Sequence, residues 1–258
     1  MLKKLIFLFF IFISLIIYGW YAFSTYIFPF QEKGFLRSKF GSENLMDDYE
    51  WANKIAKGGF ILYFRHAQRE KWDDTVTAYD AYELSNNINA ETSWFARATC
   101  LTERGKTDAR LIGEVFKHAN IKINKVISSP SCRSKQTAKI AFNKIDFLDP
   151  SILHPSALNL NEHNVMALRL RELILNMEIK QEYNNVISGH GGTLDKYFKK
   201  VIDNSDVSLS DMKKIEEGGF FVIEVDKSKN KIHVKKIFKT FGSFTRQIYN
   251  LKDKKTSF

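Results

Sequence analysis

What this chain lacks removes several chemistries at once. It has no Gly-x4-Gly-Lys-Ser/Thr loop, so a P-loop nucleotide hydrolase is excluded. It has only two cysteines, and neither opens a C-x5-R motif. The sixth residue after Cys100 is Lys106 and the sixth after Cys132 is Ala138, so a cysteine-dependent phosphatase fails on spacing. Zinc-finger spacing, an RNP-like aromatic motif and long basic runs are all absent, and nucleic acid is not an expected partner. His118 and His233 read as solvated, while His154 and His163 lack ligand-like spacing, so no metal and no other cofactor is expected. There is no internal repeat and no low-complexity stretch to suggest a repeat array or a disordered body.

What is present is enough chain for one sizeable core, with 44% hydrophobic and 26% charged residues in 258. Lys and Arg outnumber Asp and Glu by 39 to 29. Only Lys3 and Lys4 of that surplus lie in the first thirty residues, so the body is basic too. Such a balance suits an anionic substrate or an anionic membrane surface.

Residues 5–23 form an uncharged run that would span about 28 Å as a helix. Trp20, Tyr21 and Tyr26 gather at its far end, as interfacial aromatics do. The expectation is a membrane anchor over 1–30. The alternative is a signal peptide, for which Ala22-Phe-Ser24 is a faint cleavage site. A juxtamembrane linker and lead-in helix follow over 31–57, then a catalytic body over 58–258 with an insertion at 70–99. Lys3 and Lys4 orient the amino terminus to the cytoplasm, which puts the body outside it, in a periplasmic or similar space. There Cys100 and Cys132 form a candidate disulfide, the alternative being two unrelated buried thiols.

From residue 58 onward, strand-like and helical patterns alternate. Apolar runs at 60–64, 125–128, 157–160 and 185–188 read as strands. Helical spacing follows at 102–119, 133–142, 165–177 and 193–202, and a hairpin-like pair closes the chain at 219–225 and 231–238. The expected architecture is a three-layer α/β/α sandwich with a mostly parallel central sheet. In such folds ligands bind outside the carboxyl ends of the strands. Arg65, His66, Arg133, Glu162 and His190 each fall just after an expected strand.

Those residues carry a resemblance. Arg65-His66-Ala67, Leu101-Thr-Glu-Arg-Gly105, Ser128-Ser-Pro-Ser-Cys-Arg133 and Ser188-Gly-His190-Gly-Gly resemble, in order, the motifs of the histidine phosphatase superfamily, the phosphoglycerate-mutase-like group. The resemblance implies that His66 is the nucleophile and carries a phosphohistidine, with Arg65, Arg69, Arg133 and His190 holding the phosphoryl oxygens. Arginines crowding an imidazole oppose its protonation and so keep it nucleophilic. The general acid of mutase-like members is a Glu in a Leu-x-Glu setting after the third strand, which Leu160-Asn-Glu162 fits. Glu162 is the expected acid; the alternative is an ordinary helix-start carboxylate ahead of Val165, with Asp73, Asp74 and Glu83 as fallbacks.

Two departures from the family pattern stand out. Ala67 replaces the usual Gly, and the insertion carries Trp72, Tyr79, Tyr82, Trp94 and Phe95, which suit either a substrate rim or a small satellite core. The expected activity is hydrolysis of a small or sugar phosphate outside the cytoplasm. The alternatives are a non-catalytic phosphate-binding scaffold on the same fold, or an intracellular phosphoglycerate-mutase-like phosphotransferase. Oligomeric state is not legible.

Overall fold

The structure, a computed structural model, describes residues 42–70, 91, 99–155 and 159–253. The expected anchor, most of the insertion with its aromatics, and the fallback acids Asp73, Asp74 and Glu83 lie outside the described residues. Among the described residues no helix is long and apolar enough to cross a membrane. Contacts divide the chain into Met1–Asp47 and Asp48–Phe258, and the second unit holds the sheet.

Helix α1 (Ser42–Lys57) leads into β1 (Ile61–Arg65). Then come α2 (Glu103–His118), β2 (Lys122–Ser128), α3 (Cys132–Phe142) and the two-residue β3 (Phe147–Leu148). A 3-10 turn (Pro150–Ile152) separates β3 from α4 (Leu160–Asn176), β4 (Tyr183–Gly189) and α5 (Gly191–Val201). The chain finishes with β5 (Asn204–Ser205), α6 (Leu209–Met212), β6 (Phe220–Asp226), β7 (Lys231–Phe238) and α7 (Phe241–Asp253).

These strands form one mixed sheet in the order β3-β2-β4-β1-β6-β7-β5. Pairings β3-β2, β2-β4, β4-β1 and β5-β7 are parallel, while β1-β6 and β6-β7 are antiparallel. The β1 strand reads as a continuous apolar run because both of its faces are covered. Ile61 and Tyr63 face a core built with Ala167, Leu170 and Ile174 of α4 and Leu194 and Val201 of α5. Leu62 and Phe64 face the opposite core, with Ile55 of α1, Ile112 and Phe116 of α2, and Phe244 of α7. Alternate side chains of one strand thus feed two cores, which makes three layers.

One expected element is displaced. Leu160 opens α4, residues 157 and 158 of the expected strand lie outside the described residues, and the strand on the outer side of β2 is Phe147–Leu148. The reason is local hydrogen bonding. The Asn159 side chain accepts from the backbone of Asn161 and Glu162, and Glu162 reaches back to the Asn159 N–H, closing a capping box. Helix α4 therefore starts five residues earlier than the apolar periodicity from Val165 suggests.

Candidate active site

Three strand ends define the site, and the sheet register places them side by side. Arg65, the last residue of β1, stands opposite Gly189 of β4, and Ser188 stands opposite Ser128 of β2. The loops leaving these positions carry His66, His190 and the segment from Ser129 to Arg133. The site occupies the carboxyl edge of adjacent parallel strands, where α/β sheets bind ligands.

His66 is buried, with its backbone N–H donated to Gly189 O at 3.0 Å. Its ring Nδ1 lies 2.8 Å from Ala67 O. A carbonyl can only accept, so Nδ1 carries the proton and Nε2 presents its lone pair. Burial holds the imidazole well below its ordinary value; the Arg133 charge adds to this, with smaller contributions from Arg65 and Arg69, while the Ala67 carbonyl opposes it. A neutral ring with one nitrogen anchored and the other available is able to act as a nucleophile.

His190 lies edge-on to His66, with ring centroids 5.4 Å apart. Arg133 Nη2 donates to its Nδ1 at 3.2 Å, which leaves the proton on Nε2. Nε2 then donates to the hydroxyls of Ser129 (3.1 Å) and Ser131 (3.2 Å). Burial, followed by the charge of Arg133, holds His190 well below the ordinary imidazole value. Both ring nitrogens of His190 are engaged within the protein. A phosphoryl oxygen would replace the serine hydroxyls or Arg133 as its partner.

The guanidiniums are held differently. Arg133 is 1% exposed, in the first turn of α3. Arg65 donates from Nη1 to Ile215 O at 2.7 Å, and its Nη2 lies 3.9 Å from Glu217 Oε1. Burial lowers the Arg65 pKa, the Glu217 carboxylate partly offsets this, and the charges of Arg69 and Arg133 add to the lowering. Arg69 pairs with Leu101 in an antiparallel bridge, and its Nη1 donates to Glu70 O. All three arginines thus act on the His66 imidazole.

The segment Leu101-Thr-Glu-Arg-Gly105 supports the loop that carries His66. Thr102 caps α2 by accepting from Gly105 N at 2.9 Å, and its own N–H donates to Gln68 O at 3.1 Å. A methyl group at Gly105 would stand 2.0 Å from that same Gln68 oxygen, so only glycine admits the approach. Ala67 packs with Leu101 and Ala109 in a small apolar cluster, which gives its methyl group a use. The Ala67 N–H donates to Thr137 Oγ1 at 2.9 Å, and Thr137 Oγ1 donates to Arg133 O at 2.8 Å. The loop that carries His66 and the helix that carries Arg133 therefore hold each other.

Cys100 and Cys132 are disulfide-bonded, with Cα atoms 4.9 Å apart. The bond ties the root of the insertion to the residue before Arg133. Glu162 is exposed, and its Oε2 accepts the Asn159 N–H at 2.8 Å. Sequence reasoning passed over Ser129, Ser131, Thr137 and His154. The two serines and Thr137 lie within the Ser-Ser-Pro-Ser-Cys-Arg motif and the helix it opens, so their signal was adjacency. His154 had no sequence signal, yet its ring stands 5.6 Å from that of His190.

Residues 90–155 match the family model of the Histidine phosphatase superfamily (branch 1). That stretch includes Cys100, Arg133 and His154 but not His66 or His190. No curated protein matches the sequence. Among solved structures, a protein histidine phosphatase SixA complexed with tungstate is similar at 12% identity, covering 69% of this chain and 96% of that one, with a TM-score of 0.46. A phosphoglycerate mutase from Plasmodium falciparum is similar at 14% identity, covering 70% and 91%, with a TM-score of 0.42. An ecdysone phosphate phosphatase from Bombix mori, also with tungstate, is similar at 16% identity, covering 64% and 88%, with a TM-score of 0.44. At that similarity these structures assign no role to any residue of this chain.

Proposed function

We propose that this chain is a histidine phosphatase that hydrolyses phosphomonoesters without a metal, through a phosphohistidine on His66 Nε2. The observation that carries the reading is His66 itself. It is a buried imidazole with Nδ1 anchored on a carbonyl, held neutral by burial and by the charges of Arg133, Arg65 and Arg69. Nε2 attacks phosphorus while Arg65, Arg69 and Arg133 take the charge on the equatorial oxygens, as fixed cations do in phosphoryl transfer. Water then attacks the phosphohistidine and phosphate leaves. The family match over residues 90–155 supports the reading.

The substrate class is a small or sugar phosphate. An exported, membrane-anchored body is part of the proposal. It is supported by the uncharged run at 5–23 and by the disulfide, which suits an oxidising compartment.

The test uses the detergent-solubilised full chain, a panel of phosphomonoesters and excess chelator. Phosphate release should persist in chelator and fall by about 1,000-fold or more in His66→Ala, since covalent catalysis has no substitute nucleophile at that position. Vanadate binding with no turnover on any ester would sink the catalytic reading and favour a phosphate-binding scaffold.

A further inference from the structure

We propose that His154 donates the proton to the leaving oxygen when the ester bond breaks and takes a proton from the attacking water in the second step. This inference rests on the phosphohistidine reading above.

The position of His154 is built rather than incidental. It lies on the loop that leaves the carboxyl end of β3, on the same sheet edge as the other site loops. The 3-10 turn before it is capped by Asp149, whose Oδ1 accepts from Ser151 N at 2.8 Å and from Ser151 Oγ at 2.6 Å. Ile152 and Leu153 immediately before it are fully buried, and Thr193 Oγ1 of α5 donates to Leu153 O at 3.3 Å. Buried Pro155 follows, with its carbonyl 2.7 Å from His163 Nε2. Proline fixes its own φ and restricts the residue before it, so the backbone at His154 has little freedom.

That loop brings a third imidazole beside the pair formed by His66 and His190. His190 lies in the middle, with His66 at 5.4 Å on one side and His154 at 5.6 Å on the other. An in-line transfer needs its nucleophile and its proton donor on opposite sides of phosphorus. With reacting atoms about 3 Å apart and a donor hydrogen bond of about 2.8 Å, those two groups stand roughly 7 Å apart. Successive ring spacings of 5.4 and 5.6 Å permit that separation between the outer pair.

The three rings differ in access to water. His66 and His190 are 4% and 1% exposed, whereas His154 is half-buried. The outer ring is the one that can exchange protons with solvent between turnovers. Its charge is among those that keep His190 deprotonated, so the two groups share one electrostatic environment. Glu162, by contrast, spends a carboxylate oxygen on the cap of α4.

The proton count closes. As the bond from His66 Nε2 to phosphorus forms and the ester P–O bond breaks, protonated His154 gives its proton to the departing oxygen, releasing an alcohol. Neutral His154 then takes a proton from water as the water oxygen bonds to phosphorus and the P–N bond breaks. Phosphate leaves, and His154 is protonated again.

The test compares two esters by kcat/KM, which reports events up to the first irreversible step. For a simple alkyl phosphate, whose leaving alkoxide needs a proton, His154→Ala should lose about 100- to 10,000-fold, the usual worth of general acid catalysis. For 4-nitrophenyl phosphate, whose leaving group is stable as an anion, the loss should stay under about tenfold. Added imidazole should restore alkyl phosphate turnover to His154→Ala, and His154→Gln should show the same selectivity with the ring volume largely kept. Equal losses on both esters, or no loss on either, would overturn the assignment. A selective loss in Glu162→Gln and not in the His154 variants would move the role to Glu162. Absence of wild-type turnover, or turnover that survives His66→Ala, would instead remove the phosphohistidine reading and this inference with it.

Discussion

His66 and His190 are both fully buried and both held well below the imidazole's ordinary value of 6.5, which couples the stability of the fold to pH. Above 6.5 neither the folded nor the unfolded chain protonates these rings, so nothing is lost. Below it the unfolded chain takes up a proton at each ring while the folded chain does not. The unfolded state then binds more protons, and stability falls as pH falls. Integrated from about pH 7.5 to about pH 5, each ring costs at most about 2 kcal/mol and the pair at most about 4 kcal/mol, the limit for rings that stay neutral in the fold throughout. The carboxylates whose values are lowered, Asp146, Asp203, Asp206, Asp211 and Asp226, sit below an ordinary 3.8, so their stabilisation is lost only at lower pH. Urea unfolding followed by far-UV circular dichroism, without reductant, reads the effect directly. His66→Gln removes one ring and should lower the slope by about half. Stability that stays flat between pH 7.5 and 5, or a slope that His66→Gln leaves unchanged, would refute the claim that these rings are buried neutral.

Two further outcomes follow from packing. Gly105→Ala tests the close approach of α2 to the nucleophile loop: helix propensity alone would stabilise by up to about 1 kcal/mol. The 2.0 Å clash with Gln68 O should reverse the sign, costing about 1 to 3 kcal/mol and lowering activity, as thermal unfolding and phosphate release would show. Reducing the Cys100–Cys132 bond, which links residues 32 apart, should lower stability by about 3 to 4 kcal/mol in the chain-entropy model. The double variant Cys100→Ser with Cys132→Ser should reproduce that loss and become insensitive to reductant.

Local pattern carried far in this chain. The strand before His66, the Thr102 cap, the helix after Arg133 and the hairpin of β6 and β7 were all legible, because each depends on neighbours in sequence: apolar runs, a capping hydroxyl, helical spacing. The third strand was misplaced for the same reason. A two-residue edge strand such as Phe147–Leu148 has too few side chains to show a period, while the residues around Leu160 resembled a strand until the Asn159 cap was seen to start a helix. Leu160 and Glu162 therefore lie in the first turn of α4 rather than after a strand.

Sequence alone determined the chemistry on offer: an imidazole after a buried strand, arginines in motif order, and two cysteines able to pair. Tertiary structure decided how these groups meet. The register of β1 against β4, the serines beside His190 and the meeting of His66 and His154 with His190 depend on contacts between residues far apart in the chain. Such contacts form only when the sheet closes, and no local period encodes them.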